Sequence, residues 1–148
     1  MATMKILIIN GPNLNHILER NKDHYGEFDI SKIENLIKTR FHEIDFDFFT
    51  SNDEHEILFQ IQSVNRNYDG LIINPGAYSH SSIGIRDALE ICKLPKIEIH
   101  LSNLSKREKF RNVNLSAVNC DGYIAGFKDL GYLAAVFVIR ELVIRKSL

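Results

Sequence analysis

The chain has 148 residues, 45% of them hydrophobic and 25% charged, with 18 Lys and Arg against 19 Asp and Glu for a net charge of −1. This is enough chain for one domain with a buried core, and the balanced charge excludes a general nucleic-acid binder working through a basic surface. Cys92 and Cys120 fit no metal or redox spacing and require no oxidising compartment. No apolar run is long enough to cross a bilayer and Met1-Ala2-Thr3-Met4-Lys5 has no signal-peptide core, so a cytoplasmic protein is expected.

The run Ile6-Leu7-Ile8-Ile9, stopped by Gly11-Pro12, predicts a first strand over residues 5–10. Residues 15–26 are polar and aperiodic. They exceed the usual strand-to-helix connection of about 2–6 residues and predict a lid. Ile30, Ile33, Leu36, Ile37 and Phe41 form a helical stripe with Asp29 as its N-cap. Residues 45–49 read as a second strand, and residues 54–65 as a helix with Ile57, Leu58 and Ile61 inward. Leu71-Ile72-Ile73 lacks alternation and predicts a third strand buried on both faces. Ser81 or Ser82 caps a helix that runs to about Cys92 and is ended by Pro95. Cys92 reads as a small buried apolar residue. Residues 97–100 form a fourth strand, residues 103–119 a polar excursion with one helical turn, and residues 122–125 a fifth strand. Residues 130–145 close the chain as an amphipathic helix with Leu130, Leu133, Ala134, Phe137, Val138 and Leu142 on its inner face. There is no repeat or linker, so one domain over residues 1–148 is expected. Strands alternating with helices imply a parallel sheet covered on both sides. Right-handed crossovers narrow this to an α/β, three-layer, flavodoxin-like fold with a five-stranded parallel sheet in the order 2-1-3-4-5.

In such a sheet ligands bind beyond the carboxyl ends of the strands. There the first, third and fourth strands deliver Asn10 and Asn13, Asn74 and His80, then His100 and Ser102. Each has a plainer reading. Asn13 suits a turn, Asn74-Pro75-Gly76 is an ordinary tight turn, and His80 can sit beside a helix start. Their convergence on one edge argues for a pocket. Glu98 and His100 alternate with Ile97 and Ile99, so both face the same side of a strand that should be apolar. A buried carboxylate needs a partner, and the imidazole supplies it while being oriented by it; a plain buried ion pair fits the same pattern. In the lid, Arg20 and Tyr25 carry chemistry, because an adjacent cation lets a phenol act as a base. A solvated loop with a packed Tyr is the alternative. Arg107 and Arg111 suit anion binding, although Arg107 reads equally as surface charge. No P-loop, dinucleotide fingerprint, nucleophile elbow or zinc spacing occurs.

Together these residues resemble the type II 3-dehydroquinate dehydratases. Gly11-Pro12-Asn13-Leu14-Asn15 is similar to that family's first motif, with Tyr25-Gly26 at the family spacing. Ser51-Asn52-x-Glu54-x-Glu56, the run from Asn74 to Ser82 with Ile85-Arg86-Asp87-Ala88, Glu98-x-His100-Leu101-Ser102-Asn103, Arg107-Glu108-x-Phe110-Arg111, and Gly131-Tyr132 match in turn. The resemblance covers residues 5–138. It implies dehydration of 3-dehydroquinate to 3-dehydroshikimate, in aromatic biosynthesis or quinate breakdown, with no metal, cofactor or covalent lysine intermediate. It implies Tyr25 as the base, Arg20 as the group that keeps it ionised, and Asn13 as holder of a water that stabilises the enolate. His100 would be the general acid, oriented by Glu98. Asn74, His80, Leu101, Ser102 and Arg111 would hold the substrate, and Asp87 would reach a neighbouring subunit's site. The resemblance further implies trimers assembled into a dodecamer.

The chain departs from the family chiefly in the lid. Leu18, Asn21 and Lys22 stand where Gly, Glu and Pro are usual, which puts loop closure in question. His55 replaces a Gly, and Asn112 and Asn114 replace a His and a Ser. These last positions are expected to lie away from the proton-transfer pair. The competing reading is a catalytically silent flavodoxin-like module that binds a small carboxylate.

Overall fold

The computed structural model describes residues 2–148. Continuous aliphatic runs put β1 (Lys5–Asn10) and β3 (Gly70–Asn74) at the centre of the sheet, and β4 (Lys96–His100) joins them although its isoleucines alternate with Glu98 and His100. All three are buried along almost their whole length. β2 (Asp45–Thr50) alternates Asp with Phe, and β5 (Gly122–Ala125) is short; both are only partly buried and form the edges. The sheet is five-stranded and parallel in the order β2-β1-β3-β4-β5, as the alternation of elements implied.

The helices are α1 (Lys22–Tyr25), α2 (Ile30–Arg40), α3 (Glu54–Ser63), α4 (Ile83–Ile91) and α5 (Leu130–Lys146). Successive strand residues point to opposite faces, so the sheet divides the core in two. Ile6, Ile8, Ile72, Ile97 and Ile99 pack against Ile33 and Ile37 of α2 and Tyr132, Ala135, Val136 and Ile139 of α5. Leu7, Ile9, Leu71 and Ile73 pack against Ile57 and Ile61 of α3 and Ile85, Ala88 and Leu89 of α4. Cys92 belongs to this second core, as its apolar reading required. Asp29 caps α2 by accepting the Lys32 N–H at 2.8 Å, and Ser82, rather than Ser81, caps α4 by accepting from Ile85 at 2.9 Å.

Three expectations are corrected. The third helix in chain order ends at Ser63 and passes into a 3₁₀ turn, Val64–Arg66. The excursion before β5 holds three 3₁₀ turns, Leu104–Lys106, Lys109–Asn112 and Ala117–Asn119, instead of one helical turn. The inner face of α5 is Gly131, Tyr132, Ala135, Val136 and Ile139, whereas Leu130, Ala134 and Phe137 are exposed and Leu133, Val138 and Leu142 only partly buried. The first ten residues of α5 contain no charge, so periodicity alone has no polar face to orient against.

The loops after β1 and β3 interlock at the carboxyl edge. Gly11 donates to the Asn74 carbonyl at 2.8 Å. A Cβ on Gly11 would meet the Pro75 carbonyl oxygen at 2.7 Å, so only glycine lets the two strand ends approach this closely. Among the described residues no helix is long and apolar enough to cross a membrane.

Candidate active site

The pocket lies beyond β1, β3 and β4. Its walls include Leu14, Arg20, Tyr25, Asn74, His80, His100, Leu101, Ser102, Arg107 and Arg111. Eight of the expected site residues therefore meet in one place. Glu98 is set behind His100. Asn13 and Asp87 are exposed and do not line this pocket. Asn13 takes a left-handed conformation (φ 68°) and its N–H donates to Asn52 Oδ1 at 2.9 Å, which ties the start of the lid to the loop after β2.

The lid is folded over the pocket. A 3₁₀ segment, Leu14–Glu19, buries Leu14 and Ile17 beneath it, and the single turn of α1 follows. Asn21 caps that turn by accepting the Asp23 N–H at 2.8 Å, and its carbonyl accepts the Tyr25 N–H at 3.0 Å. Lys22 pairs with Glu27 at 3.3 Å. Asn21 and Lys22, two of the unusual lid residues, thus shape the turn that carries Tyr25.

Tyr25 is 8% exposed, and its Oη receives hydrogen bonds from Arg20 Nη2 and Arg107 Nη1. Guanidinium groups only donate, so the phenol oxygen accepts both. The Arg20 guanidinium also lies 3.7 Å from the ring centroid. Burial pulls the Arg20 pKa down from its ordinary value, and attraction to Tyr25 opposes that shift. Arg107 further donates to Ser102 Oγ at 3.2 Å. Its side chain is only 8% exposed, which settles its ambiguous reading against surface charge. Arg107 Nε has no hydrogen-bond partner and is the sole buried side-chain polar atom in that condition among the described residues.

On the facing strand Glu98 is fully buried. Its Oε2 accepts from His100 Nε2 at 2.7 Å and from Asn114 Nδ2 at 2.5 Å, and its Oε1 accepts from Ser116 Oγ. Asn114 is held in turn, its Oδ1 accepting from the N–H groups of Ser116 at 3.1 Å and Ala117 at 2.9 Å. The expectation that Asn114 stands away from the proton-transfer pair is therefore wrong, while Asn112 is exposed. The long polar excursion folds back over β4, a tertiary contact that no local pattern announces. The His80 ring stacks on His100 with centroids 6.2 Å apart, and His80 Nδ1 donates to the Val113 carbonyl at 2.6 Å. Burial lowers the His80 pKa from its ordinary value, its backbone bond opposing and the neighbouring His100 and Arg111 reinforcing the shift. Arg111 is braced by Glu108 at 2.6 Å, and that bond holds the Glu108 carboxyl below its usual range.

The cavity left in the pocket is about 20 Å³, room for a single water and far too little for a ring-sized molecule. Such a ligand can enter only if the lid, or the Arg20 and Arg107 side chains that close on Tyr25, move. A wider cleft of about 880 Å³ lies beside β5, with Arg111, Asn114, Val118, Tyr123 and Phe127 among its walls. It lacks Tyr25, Asn74, His80 and His100, so the chemistry belongs to the smaller pocket. Among the described residues no group of three or more His, Cys, Asp and Glu is arranged to hold a metal.

Fold and site together define a doubly wound, flavodoxin-like α/β protein with a phenol and an imidazole–carboxylate pair facing one polar pocket. The model of the dehydroquinase class II family matches residues 4–140. The 3-dehydroquinate dehydratase of Thermotoga petrophila is 44% identical over 140 residues, 93% of this chain and 96% of that protein. The crystal structure of the type II dehydroquinase from Butyrivibrio crossotus is 40% identical with a TM-score of 0.89, covering 93% of this chain and 97% of its own. That from Propionibacterium acnes is 31% identical with a TM-score of 0.86, covering 95% and 98%. The chain belongs to the class II dehydroquinase family.

Proposed function

We propose that this chain is a type II 3-dehydroquinate dehydratase, forming 3-dehydroshikimate by acid–base elimination on the route to aromatic amino acids. The observation that carries the reading is the Tyr25 oxygen, gripped by Arg20 and Arg107, in the same pocket as a His100 held by Glu98. Tyr25 Oη takes the proton from the carbon next to the ketone, and the C–H electron pair forms the enolate. Asn13 holds a water against the enolate oxygen once the lid has closed on substrate, an oxyanion-type role. The enolate collapses, the C–O bond to the departing hydroxyl breaks, and His100 protonates that oxygen. Its Nε2 is committed to Glu98, so Nδ1 delivers the proton. Water leaves, and the proton on Tyr25 returns to the imidazole to reset the pair. Two side chains supply the whole elimination, with no metal, cofactor or lysine adduct.

Asn74, His80, Leu101, Ser102 and Arg111 hold the substrate's hydroxyls and carboxylate. Asp87 completes the site of a neighbouring copy, within a dodecamer built from trimers. The exposed apolar residues Val118, Tyr123 and Phe127 around the wide cleft support a surface that a second copy covers.

The test is a dehydratase assay on purified protein, following the ultraviolet absorbance of the conjugated enone. Turnover that survives borohydride and chelator is expected. Tyr25→Phe and His100→Ala should each lower kcat by about 10²–10⁴ while leaving the protein folded. Near-wild-type turnover in both would remove the assigned roles. Thermal stabilisation by substrate without any turnover would instead point to a silent carboxylate-binding module.

A further inference from the structure

β1 and β3 end in the same residue type at the same level. Asn10 and Asn74 are register partners, 1% and 2% exposed. Tyr132 of α5, fully buried, bridges them. Its Oη donates to Asn10 Oδ1 and accepts from Asn74 Nδ2 at 3.1 Å. The other end of the Asn74 amide accepts the Gly76 N–H at 3.1 Å.

A phenol has one proton. Because that proton is committed to Asn10, the oxygen can meet Asn74 only as an acceptor, so it demands the NH₂ end of the amide. The Gly76 backbone can only donate, so it demands the carbonyl end. The two bonds act on opposite ends of one amide: Gly76 anchors the carbonyl and Tyr132 anchors the amino group, and without the second a single bond must hold the amide against rotation. Nδ2 carries two protons and Tyr132 uses one, which leaves one donor for the pocket that Asn74 lines. Burial holds the Tyr132 phenol above its ordinary range, the Asn74 bond opposing, so it keeps its proton at neutral pH.

We propose that Tyr132 and Asn10 are positioning residues for substrate selection: they fix the Asn74 amide so that it offers a donor, and no acceptor, to the substrate carboxylate. A packing role alone would be met equally by phenylalanine. The inference rests on the dehydratase reading above and adds to it the residues that give Asn74 its polarity.

Tyr132→Phe removes only the oxygen. With 3-dehydroquinate, KM is expected to rise about tenfold, the loss of one hydrogen bond to a charged group, with kcat within about threefold. A cyclohexane-type inhibitor bearing a carboxylate should weaken by the same factor, whereas its hydroxymethyl counterpart should not. Asn10→Leu frees the phenol proton to compete for the carbonyl end of Asn74 and should reproduce the KM effect in a chain that keeps Tyr132. A lowered melting temperature with unchanged KM in both variants, equal weakening of both inhibitors, or failure of both variants to fold would make the network purely structural and overturn the proposal. Wild-type protein without turnover would remove the dehydratase reading and this inference together; turnover in wild type with unchanged KM in the variants removes the inference alone.

Discussion

Asn114 is the residue whose role changed most once the chain was folded. It supplies one of three hydrogen bonds to a carboxylate that has no contact with solvent. Burying a carboxylate is costly unless its lone pairs are met. Asn114→Ala should therefore lower kcat and cost about 1–3 kcal/mol of stability, the usual cost of stranding a buried polar group. Asn114→Ser, which keeps a side-chain donor for Glu98, should recover much of both. Denaturant melts and steady-state kinetics on the two variants check this, and equal kcat in Ala and wild type would reject it. His80 makes a separate prediction about pH. Its pKa in the fold lies below the unfolded value near 6.5, so between the two the unfolded chain binds more protons. The contribution is fully present above pH 6.5 and is lost as pH falls through the lowered folded value. Unfolding midpoints measured on either side of pH 6.5 should show this acid-side slope, and His80→Asn should flatten it.

Elements were legible in proportion to how locally they are determined. β1 and β3 follow from unbroken aliphatic runs, β2 and β4 from shorter β-rich segments, and α2 to α4 from 3.6-residue stripes with capping residues at Asp29 and Ser82. α5 could not be oriented because its first ten residues are uncharged. Tertiary packing of Tyr132 between two strand ends selects the face, and such a contact leaves no trace in periodicity. The same holds at the site. Tyr25, Glu98, His100 and Arg111 were legible from residue type and placement, whereas Arg107 and Asn114 needed the return of the excursion across β4. The lid is the intermediate case. α1 has four residues, too few to be stable alone, so its geometry depends on the Asn21 cap. Asn21→Ala should weaken that cap by about 0.5–2 kcal/mol. The loss falls on the lid rather than the core, so the global melting temperature should hold while trypsin cuts faster after Arg20 and Lys22. Unchanged cleavage would show that the cap does not govern lid closure.

At the scale of the whole molecule, one copy leaves features that a lone protomer does not explain. β5 is an open edge beside a cleft of about 880 Å³, and edges of this kind are normally covered. Val118, Tyr123, Phe127, Leu130 and Phe137 are all more than half exposed. Asp87 sits exposed on α4, outside the pocket of its own chain. If Asp87 serves a neighbour's site, activity must be recoverable between two defective chains. Asp87→Ala leaves Tyr25 intact but harms the neighbour's pocket; Tyr25→Phe has a dead pocket but an intact Asp87. Refolding the two together in equal amounts puts an intact Tyr25 beside an intact foreign Asp87 in about a quarter of sites, if each site borrows one residue from one neighbour. Recovered kcat should approach that fraction of wild type, well above the average of the two parents. Oligomers of wild-type size by sedimentation with no recovery, or an Asp87→Ala chain with wild-type kcat and KM, would make each pocket self-sufficient and leave the apolar edge an assembly surface without a catalytic share.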